Sequence, residues 1–105
     1  MIKLVALFTH PPDREAFERH YTGTHMPLVR KMPDLKRVEV ARVTGAPRGE
    51  SPYYLVCEMY WENAEAMNAS LASAEGRAVG RDARDFASDL LTMHIAEVEN
   101  AGSAA

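Results

Sequence analysis

The stretch FERHYTGTHMPLV, residues 17–29, holds two histidines five positions apart, His20 and His25. An imidazole changes its charge near neutral pH, so each ring could take a proton from a substrate or return one. On a regular helix, residues five apart point about 140° away from each other, which is too far for both rings to bind one metal ion. The pair therefore predicts acid and base chemistry at these two catalytic candidates and no metal site.

A glycine and a proline, Gly23 and Pro27, interrupt the same stretch. Proline lacks an N–H, crowds the carbonyl four residues earlier and disfavours the α conformation at the residue before it, here Met26. We therefore predict a break between Gly23 and Met26, with Pro27 in the first turn of a second, short helix. The break is expected to place His25 in a cleft between helix and sheet. There the ring could act as a base, or it could tie the kink to the backbone.

The elements that must position these rings alternate between strand and helix patterns. Alternating or β-favouring residues predict strands at Met1–Thr9, Leu35–Val43, Tyr53–Trp61 and Leu91–Glu99. Helices are expected after capping residues at Asp13, Asn63 and Ser73, the first running to about Lys31. The order β-α-β-β-α-β predicts an α+β, ferredoxin-like fold, a four-stranded antiparallel sheet with its helices on one face. Residues 1–99 are expected to form the single domain and residues 100–105 a flexible tail.

The first predicted helix carries an apolar stripe. At about 100° per residue, Tyr21, Thr24 and Leu28 fall within about 40° of Phe17, so these residues are expected to pack on the sheet. His20 lies on a flank of this stripe and is expected to be exposed to solvent.

The first and third predicted strands carry apolar residues on both faces. On the first strand, Leu4 and Phe8 point to one side, and Val5 and Leu7 to the other. The helices can cover only one face, and no segment remains for the second. We therefore expect a second copy of the chain to cover it, which predicts a homodimer through the sheet faces.

Composition and charge exclude several classes of partner. The net charge is −3 and the basic residues are scattered, so nucleic acid is not an expected partner. The apolar run Leu4 to Phe8 is too short for a signal or membrane-spanning segment, so we predict a cytoplasmic protein without a membrane partner. The single cysteine, Cys57, cannot form an internal disulfide. It stands among apolar residues, so we expect its thiol to be buried and unreactive.

Polar and aromatic residues of the predicted strands are further candidates. Glu58 and His94 stand among apolar neighbours, where each could serve in catalysis or in a structural ion pair. Tyr54 could line an aromatic pocket, and it could equally belong to the core. The sequence holds no phosphate-loop, dinucleotide or acyl-serine pattern, and we predict no cofactor.

Two motifs carry a resemblance to a known family. The motif F-x-x-H-Y-x-x-x-H-x-P-L, followed by M-P-D-L-K-R at residues 32–37, resembles the EthD family of dimeric α+β barrel proteins. A second motif, S-x-E-G…D-x-x-x-F, is also similar. The motif positions are Phe17, His20, Tyr21, His25, Pro27 and Leu28, and then Ser73, Glu75, Gly76, Asp82 and Phe86. The resemblance implies the ferredoxin-like fold and the dimeric barrel.

The resemblance also implies a role in small-molecule catabolism, because the family is named after a cluster for degrading an ether fuel additive. Relatives in the superfamily include isomerases, polyketide cyclases, quinol-forming monooxygenases and haem-degrading enzymes. We predict a cofactor-free acid/base enzyme (isomerase, cyclase or lyase) acting on a small cyclic or aromatic substrate, with His25 moving the proton. The alternatives are a non-catalytic hydrophobic-ligand-binding accessory protein for an oxygenase and a quinol-type monooxygenase. The expected substrate-binding residues are Tyr21, Leu28, Tyr54, Phe86 and His94.

Overall fold

The computed structural model describes residues 1–99 and Gly102, and the rest of the predicted tail lies outside the described residues. The described strands form one antiparallel sheet in the order β2-β3-β1-β4. They are β1 (Ile2–Thr9), β2 (Arg37–Arg42), β3 (Tyr53–Trp61) and β4 (Leu91–Glu97). All helices pack on one face of this sheet, so the predicted α+β, ferredoxin-like fold is confirmed.

The sheet has an inner face, which points toward the helices, and an outer face. Alternation along the strands sends every second side chain to the inner face. The buried inner-face residues of β1 and β3 pair in register and are Leu4, Ala6 and Phe8 with Met59, Cys57 and Leu55. This face supplies the floor of the core.

The first helical region consists of three consecutive segments. Helix α1 (Arg14–His20) begins at Asp13, whose carboxylate accepts a hydrogen bond from the Ala16 N–H at 3.1 Å. A π turn (Tyr21–His25) follows, and α2 (Met26–Val29) continues directly from it. In the π turn the hydrogen bonds span five residues, as the bond from the Met26 N–H to the Tyr21 carbonyl shows.

The predicted break between Gly23 and Met26 is therefore wrong. Met26 keeps helical angles, with φ −62° and ψ −37°, although it precedes a proline. The wider π turn moves the carbonyls of the preceding turn away from the Pro27 ring and accommodates its missing N–H without ending the helix. Pro27 does lie in the first turn of α2, as predicted.

The π turn also changes which residues face the sheet. Thr24 is exposed and Leu28 is half-buried, so the predicted stripe is wrong in its second half. Because the turn contains one extra residue, every later position of the stripe is displaced by one. The buried residues of this region are Phe17, Tyr21, His25, Met26 and Val29.

Helices α3 (Ala64–Ala72) and α4 (Ala74–Ala87) begin at the predicted caps, Asn63 and Ser73. The two helices meet closely at Gly76, where an added Cβ would lie 2.2 Å from the Ser70 carbonyl oxygen. Only a glycine permits this approach, which sets the position of α4 over the sheet. Within the described part of the chain, every helix is too short or too polar to cross a membrane.

The outer face of the sheet carries half-buried apolar side chains beside charged ones. Val5 and Leu7 of β1 lie there with Glu58 of β3, which accepts a hydrogen bond from Tyr60 at 2.9 Å and lies 3.7 Å from the Lys3 ammonium. His94 is exposed on this face, in register with Val5. Glu58 and His94 thus lie on the side of the sheet opposite to the helices.

Candidate functional site

Two histidines and one carboxylate form a cluster between the first helical region and α4. Asp82 Oδ2 accepts a hydrogen bond from His25 Nδ1 at 2.8 Å. His20 Nε2 lies 2.8 Å from Asp82 Oδ1 and 3.0 Å from Oδ2. The side chains are 7% exposed at His25, 14% at Asp82 and 34% at His20, so the cluster runs from the interior to the surface.

The π turn is what brings the two rings together. Its hydrogen bonds link residues five apart, so His20 and His25 lie on the same side of the chain. The expectation that the rings would point in opposite directions, about 140° apart, is therefore wrong because it assumed a regular helix. Asp82 reaches both rings from α4, on the side of that helix that also carries Phe86.

The Asp82 carboxylate sets the protonation pattern of His25. A carboxylate accepts hydrogen bonds, so the bonded Nδ1 carries the proton and Nε2 is left as an acceptor. Burial lowers the pKa of His25 and outweighs the opposing effect of Asp82, which raises it. The ring is thus neutral at neutral pH and has the form that a general base requires.

Phe86 and Tyr21 hold the rings in place. The Phe86 ring lies 4.4 Å from the His20 ring and 5.1 Å from the His25 ring, measured between centroids. Tyr21 also contacts His25, with 5.4 Å between the ring centroids. Phe86 therefore supports the cluster, and it lies in a shallow surface groove with His20.

His25 lines a cavity of about 540 Å³ between the inner face of the sheet and the π turn, α2 and α4. This volume lies in the usual range for small-molecule sites. Most of the lining is apolar, and β4 contributes Met93 and Ile95 at its open side, where they are 55% and 60% exposed. Arg84 of α4 and Ser88, which directly follows that helix, stand at the rim.

The Tyr21 hydroxyl is the second polar group of the interior. Tyr21 lines the cavity and is 1% exposed, and its Oη lies near the Cys57 thiol but forms no hydrogen bond of normal geometry among residues 1–99. Burial raises the pKa of Tyr21 far above its usual value, so the hydroxyl keeps its proton and can donate it in a hydrogen bond. A buried hydroxyl without a partner costs about 1–3 kcal/mol, and a ligand oxygen beside it would remove that cost.

Four expected binding residues lie away from this cavity, and one of them is Phe86, which lines the separate groove with His20. Leu28 borders a separate small groove with Lys31 and Ala78, because the π turn rotates it off the inner stripe. The Tyr54 hydroxyl donates a hydrogen bond to Glu18 instead of lining the cavity. His94 points to the outer face, since strand alternation places its neighbours on the inner one. The prediction that these residues surround the same substrate site as His25 is therefore wrong.

The sequence analysis named Asp82 only as a position of the second motif, and neither Asp82 nor Arg84 at the rim was among its candidate site residues. A signal for Asp82 was present: it occupies a position on the inner side of α4, between Val79 and Phe86, where a carboxylate must have a partner. Among the described residues, no group of three or more histidine, cysteine or acidic side chains is placed to hold a metal ion.

Known proteins resemble this chain over most of its length. An uncharacterized 11.0 kDa protein from the thcB-thcC intergenic region of Rhodococcus erythropolis is 29% identical over 99 residues, which are 94% of this chain and 96% of that protein. The solved structure of an EthD family protein from Bacillus halodurans C-125 is 47% identical, with a TM-score of 0.91 over 93% of this chain and 98% of that one.

More distant solved structures share the fold alone. A dimeric protein of ferredoxin-like fold from Bacteroides fragilis is 13% identical, with a TM-score of 0.64 over 92% of this chain and 95% of that one. The cofactor-independent oxygenase SnoaB from Streptomyces nogalater, as its N63A mutant, is 15% identical, with a TM-score of 0.68 over 95% and 94%. The profile of the EthD domain matches residues 10–89, which hold both motifs and the histidine cluster. On this evidence the chain belongs to the EthD family.

Proposed function

We propose that this protein is a cofactor-independent enzyme that moves a proton on a small cyclic or aromatic substrate held in the cavity. One observation carries the proposal: His25, buried and neutral, is bonded through Nδ1 to Asp82 and lines an apolar cavity. A base held this way is protected from water and oriented by its carboxylate.

In the proposed reaction, His25 Nε2 takes a proton from a substrate carbon next to a carbonyl group. The electron pair of the broken C–H bond delocalises onto the carbonyl oxygen. Tyr21 Oη, which is buried without a partner, would donate a hydrogen bond to that oxygen. The protonated imidazole then returns the proton to another carbon of the substrate, which is an isomerisation, or protonates the product of a ring closure.

Asp82 and His20 support the base. The negative carboxylate faces the imidazolium that forms during the reaction and stabilises it. His20 occupies the other oxygen of Asp82, so we assign it as a positioning residue that acts through Asp82. His20→Gln is expected to lower turnover less than His25→Gln and to shift the acid limb of the pH profile.

The proposal can be tested by proton exchange without knowledge of the natural substrate. Enolisable cyclic ketones and lactones are incubated with the protein in D2O, and mass spectrometry measures the deuterium that enters each compound. His25→Gln should lower the exchange rate by about 10²- to 10⁴-fold. The control is His10→Gln, because His10 is exposed and bonds the Ser51 carbonyl at 2.9 Å, outside the cavity. Equal rates in wild type and His25→Gln would remove His25 from the reaction.

A homodimer through the outer faces of the sheets is also part of the proposal. Half-buried Val5 and Leu7 on that face support it, and the Bacteroides fragilis protein of this fold is a dimer. Leu7→Lys should convert the dimer to a monomer in light scattering after gel filtration. Thr24→Lys, an exposed position on the helix side, should leave the mass unchanged. A monomeric wild type would contradict the dimer.

We propose a cytoplasmic location for the same protein. Its single cysteine, Cys57, is a buried free thiol, which fits a reducing compartment. Cell fractionation of the full chain, followed by immunoblotting, tests this location, and recovery in the secreted fraction would contradict it.

A binding protein without catalysis is the second candidate. The large apolar share of the cavity lining favours it, because Tyr21 and His25 alone would suffice to orient a retained ligand. A binding function predicts that a small molecule co-purifies with the protein. After the complex is incubated in air, the same molecule should be recovered without chemical change. Oxygen uptake by the same sample, measured with an electrode, would instead favour the oxygenase chemistry known for a protein of this fold, SnoaB.

A further inference from the structure

A positively charged side chain stands where the apolar cavity meets solvent. Arg84 of α4 is exposed and borders both the cavity and a neighbouring surface groove. Arg77 and Arg81 line the same groove, so three guanidinium groups follow one side of α4. Within residues 1–99, no acidic side chain forms an ion pair with any of the three. Their charges are therefore available to an anion from outside.

The Arg84 guanidinium lies along its own helix. Nη1 of Arg84 lies 3.8 Å from the point that a Cβ on Gly80 would occupy, an ordinary van der Waals distance, so the side chain folds back along α4 beside Gly80. Both residues line the cavity, which places the guanidinium directly beside it.

The distribution of charge limits how a ligand can lie. The interior is apolar apart from Tyr21 and His25, and an unpaired anion there would be strongly disfavoured. At the rim, a guanidinium offers two parallel donors that match a carboxylate or another planar anion. The chain as a whole carries a net charge of −3 and repels anions. The positive charge of Arg84 makes the mouth of the cavity a local exception that attracts them.

We infer that the ligand of the cavity is an amphipathic acid, whose ring occupies the apolar interior below His25 and whose anionic group binds Arg84 at the mouth. The inference rests on the proposed function and adds the chemical class of its substrate, a cyclic or aromatic carboxylic acid or a similar organic anion. Arg84 holds the ligand in one orientation, so that the end remote from the anion faces His25 and Tyr21.

Two fluorescent dyes that differ by one anionic group provide the test. 8-Anilinonaphthalene-1-sulfonate carries a sulfonate, and N-phenyl-1-naphthylamine has the same rings without it. The wild type should bind the sulfonated dye more tightly, and Arg84→Gln should weaken that binding about tenfold while leaving the neutral dye unaffected. Arg84→Lys keeps the charge and loses the planar donors. Its affinity for the sulfonated dye should therefore lie between those of the wild type and Arg84→Gln.

The matched control is Arg19→Gln, which removes the same charge from an exposed position on α1. It should change the binding of neither dye. Equal affinity of the wild type for both dyes, or equal losses in Arg84→Gln and Arg19→Gln, would overturn the inference and leave the proposed base chemistry standing. Failure of both dyes to bind would overturn the inference and also count against the cavity on which the proposed function depends.

Discussion

Two polar clusters connect the first helical region to the rest of the fold. The histidine cluster (His20, His25 and Asp82) joins α1 and the π turn to α4. The glutamate cluster (Glu18, Arg42 and Tyr54) joins α1 to β2 and β3. In each, one carboxylate accepts hydrogen bonds from two side chains, and the two carboxylates come from residues of the same helical layer.

The glutamate cluster is electrostatically complete. Arg42 donates to both oxygens of Glu18, from Nε at 3.0 Å and from Nη2 at 2.7 Å. This pairing lowers the pKa of Glu18 and raises that of Arg42, so both stay ionised over the whole neutral range. The Tyr54 hydroxyl also donates to Glu18. The pKa of each group in this cluster is shifted away from neutrality, so none of the three changes its protonation state near neutral pH.

The histidine cluster contains no permanent cation. Its carboxylate lies between two imidazoles, and burial lowers the pKa of His25. His25 is left with an unbonded ring nitrogen beside a cavity. The two clusters thus differ in one respect that matters for acid/base catalysis. Only in the histidine cluster does a partner of the carboxylate keep a ring nitrogen free to accept a proton, with space beside it for a substrate.

The largest effect is expected when the carboxylate of each cluster is replaced by its amide, because only the histidine cluster should then lose activity. In Asp82→Asn, the new amide can donate to His25 Nδ1, which moves the ring proton to Nε2 and removes the base. Turnover in the D2O exchange assay should fall by about 10²- to 10⁴-fold. Glu18→Gln, the matched change in the glutamate cluster, should leave turnover unchanged. A similar loss in both variants would show that the distinction between the clusters is false.

The next effect concerns the helix that carries Asp82. In Gly76→Ala, the new Cβ meets the Ser70 carbonyl oxygen at 2.2 Å, so α4 must move away from α3. We expect the free energy of unfolding in urea to fall by about 1–3 kcal/mol, with a loss of turnover because Asp82 moves with α4. In the control, Gly23→Ala, nothing lies within 4 Å of the new atom, and stability should stay level or rise by up to about 1 kcal/mol. Wild-type stability in Gly76→Ala would show that α4 can shift freely.

Local patterns in the sequence were enough to predict most of the fold. Strand β3 has the predicted bounds, Tyr53 and Trp61, because its aromatic and β-branched residues alternate between two faces. The caps Asp13 and Asn63 are confirmed, since a capping side chain bonds an N–H only three residues ahead. Each of these patterns involves only residues that are close together in the sequence, so it can be recognised without knowledge of the fold.

The candidate site was less accessible to sequence reasoning, because its decisive contact is remote along the chain. Gly23 and Pro27 were consistent with either a break or a widened turn, and local propensity favoured the break. The π turn instead buries Tyr21 and Met26 against the core and lets His25 bond Asp82, which is 57 residues away. A contact across that distance is set by the packing of α4, which no pattern around His25 contains.

A smaller effect should appear in the pH dependence of stability. The folded-state pKa of His25 is lowered below its ordinary 6.5, so in acid the unfolded chain binds a proton that the folded chain resists. The free energy of unfolding should therefore fall as the pH drops from 6.5 toward the folded pKa. His25→Gln should reduce that slope in urea titrations. The lowered pKa of Glu18 acts in a different window, since its contribution is lost only as the pH falls below 4.5. An unchanged slope between pH 6.5 and 4.5 in His25→Gln would contradict the assignment.

The smallest effect is expected in the glutamate cluster itself. The side chains of Glu18 and Arg42 are 29% and 45% exposed, so water and salt weaken their attraction. Arg42→Gln should lower the free energy of unfolding by less than about 1 kcal/mol, and about 1 M KCl should remove most of the difference because charges are then screened within about 3 Å. Glu39→Gln, in another exposed pair with Arg37 on β2, provides the reference for an ordinary surface pair. A much larger loss in Arg42→Gln that persists in salt would mean that the glutamate cluster is as tightly coupled to the fold as the histidine cluster, and the contrast would then depend on the cavity alone.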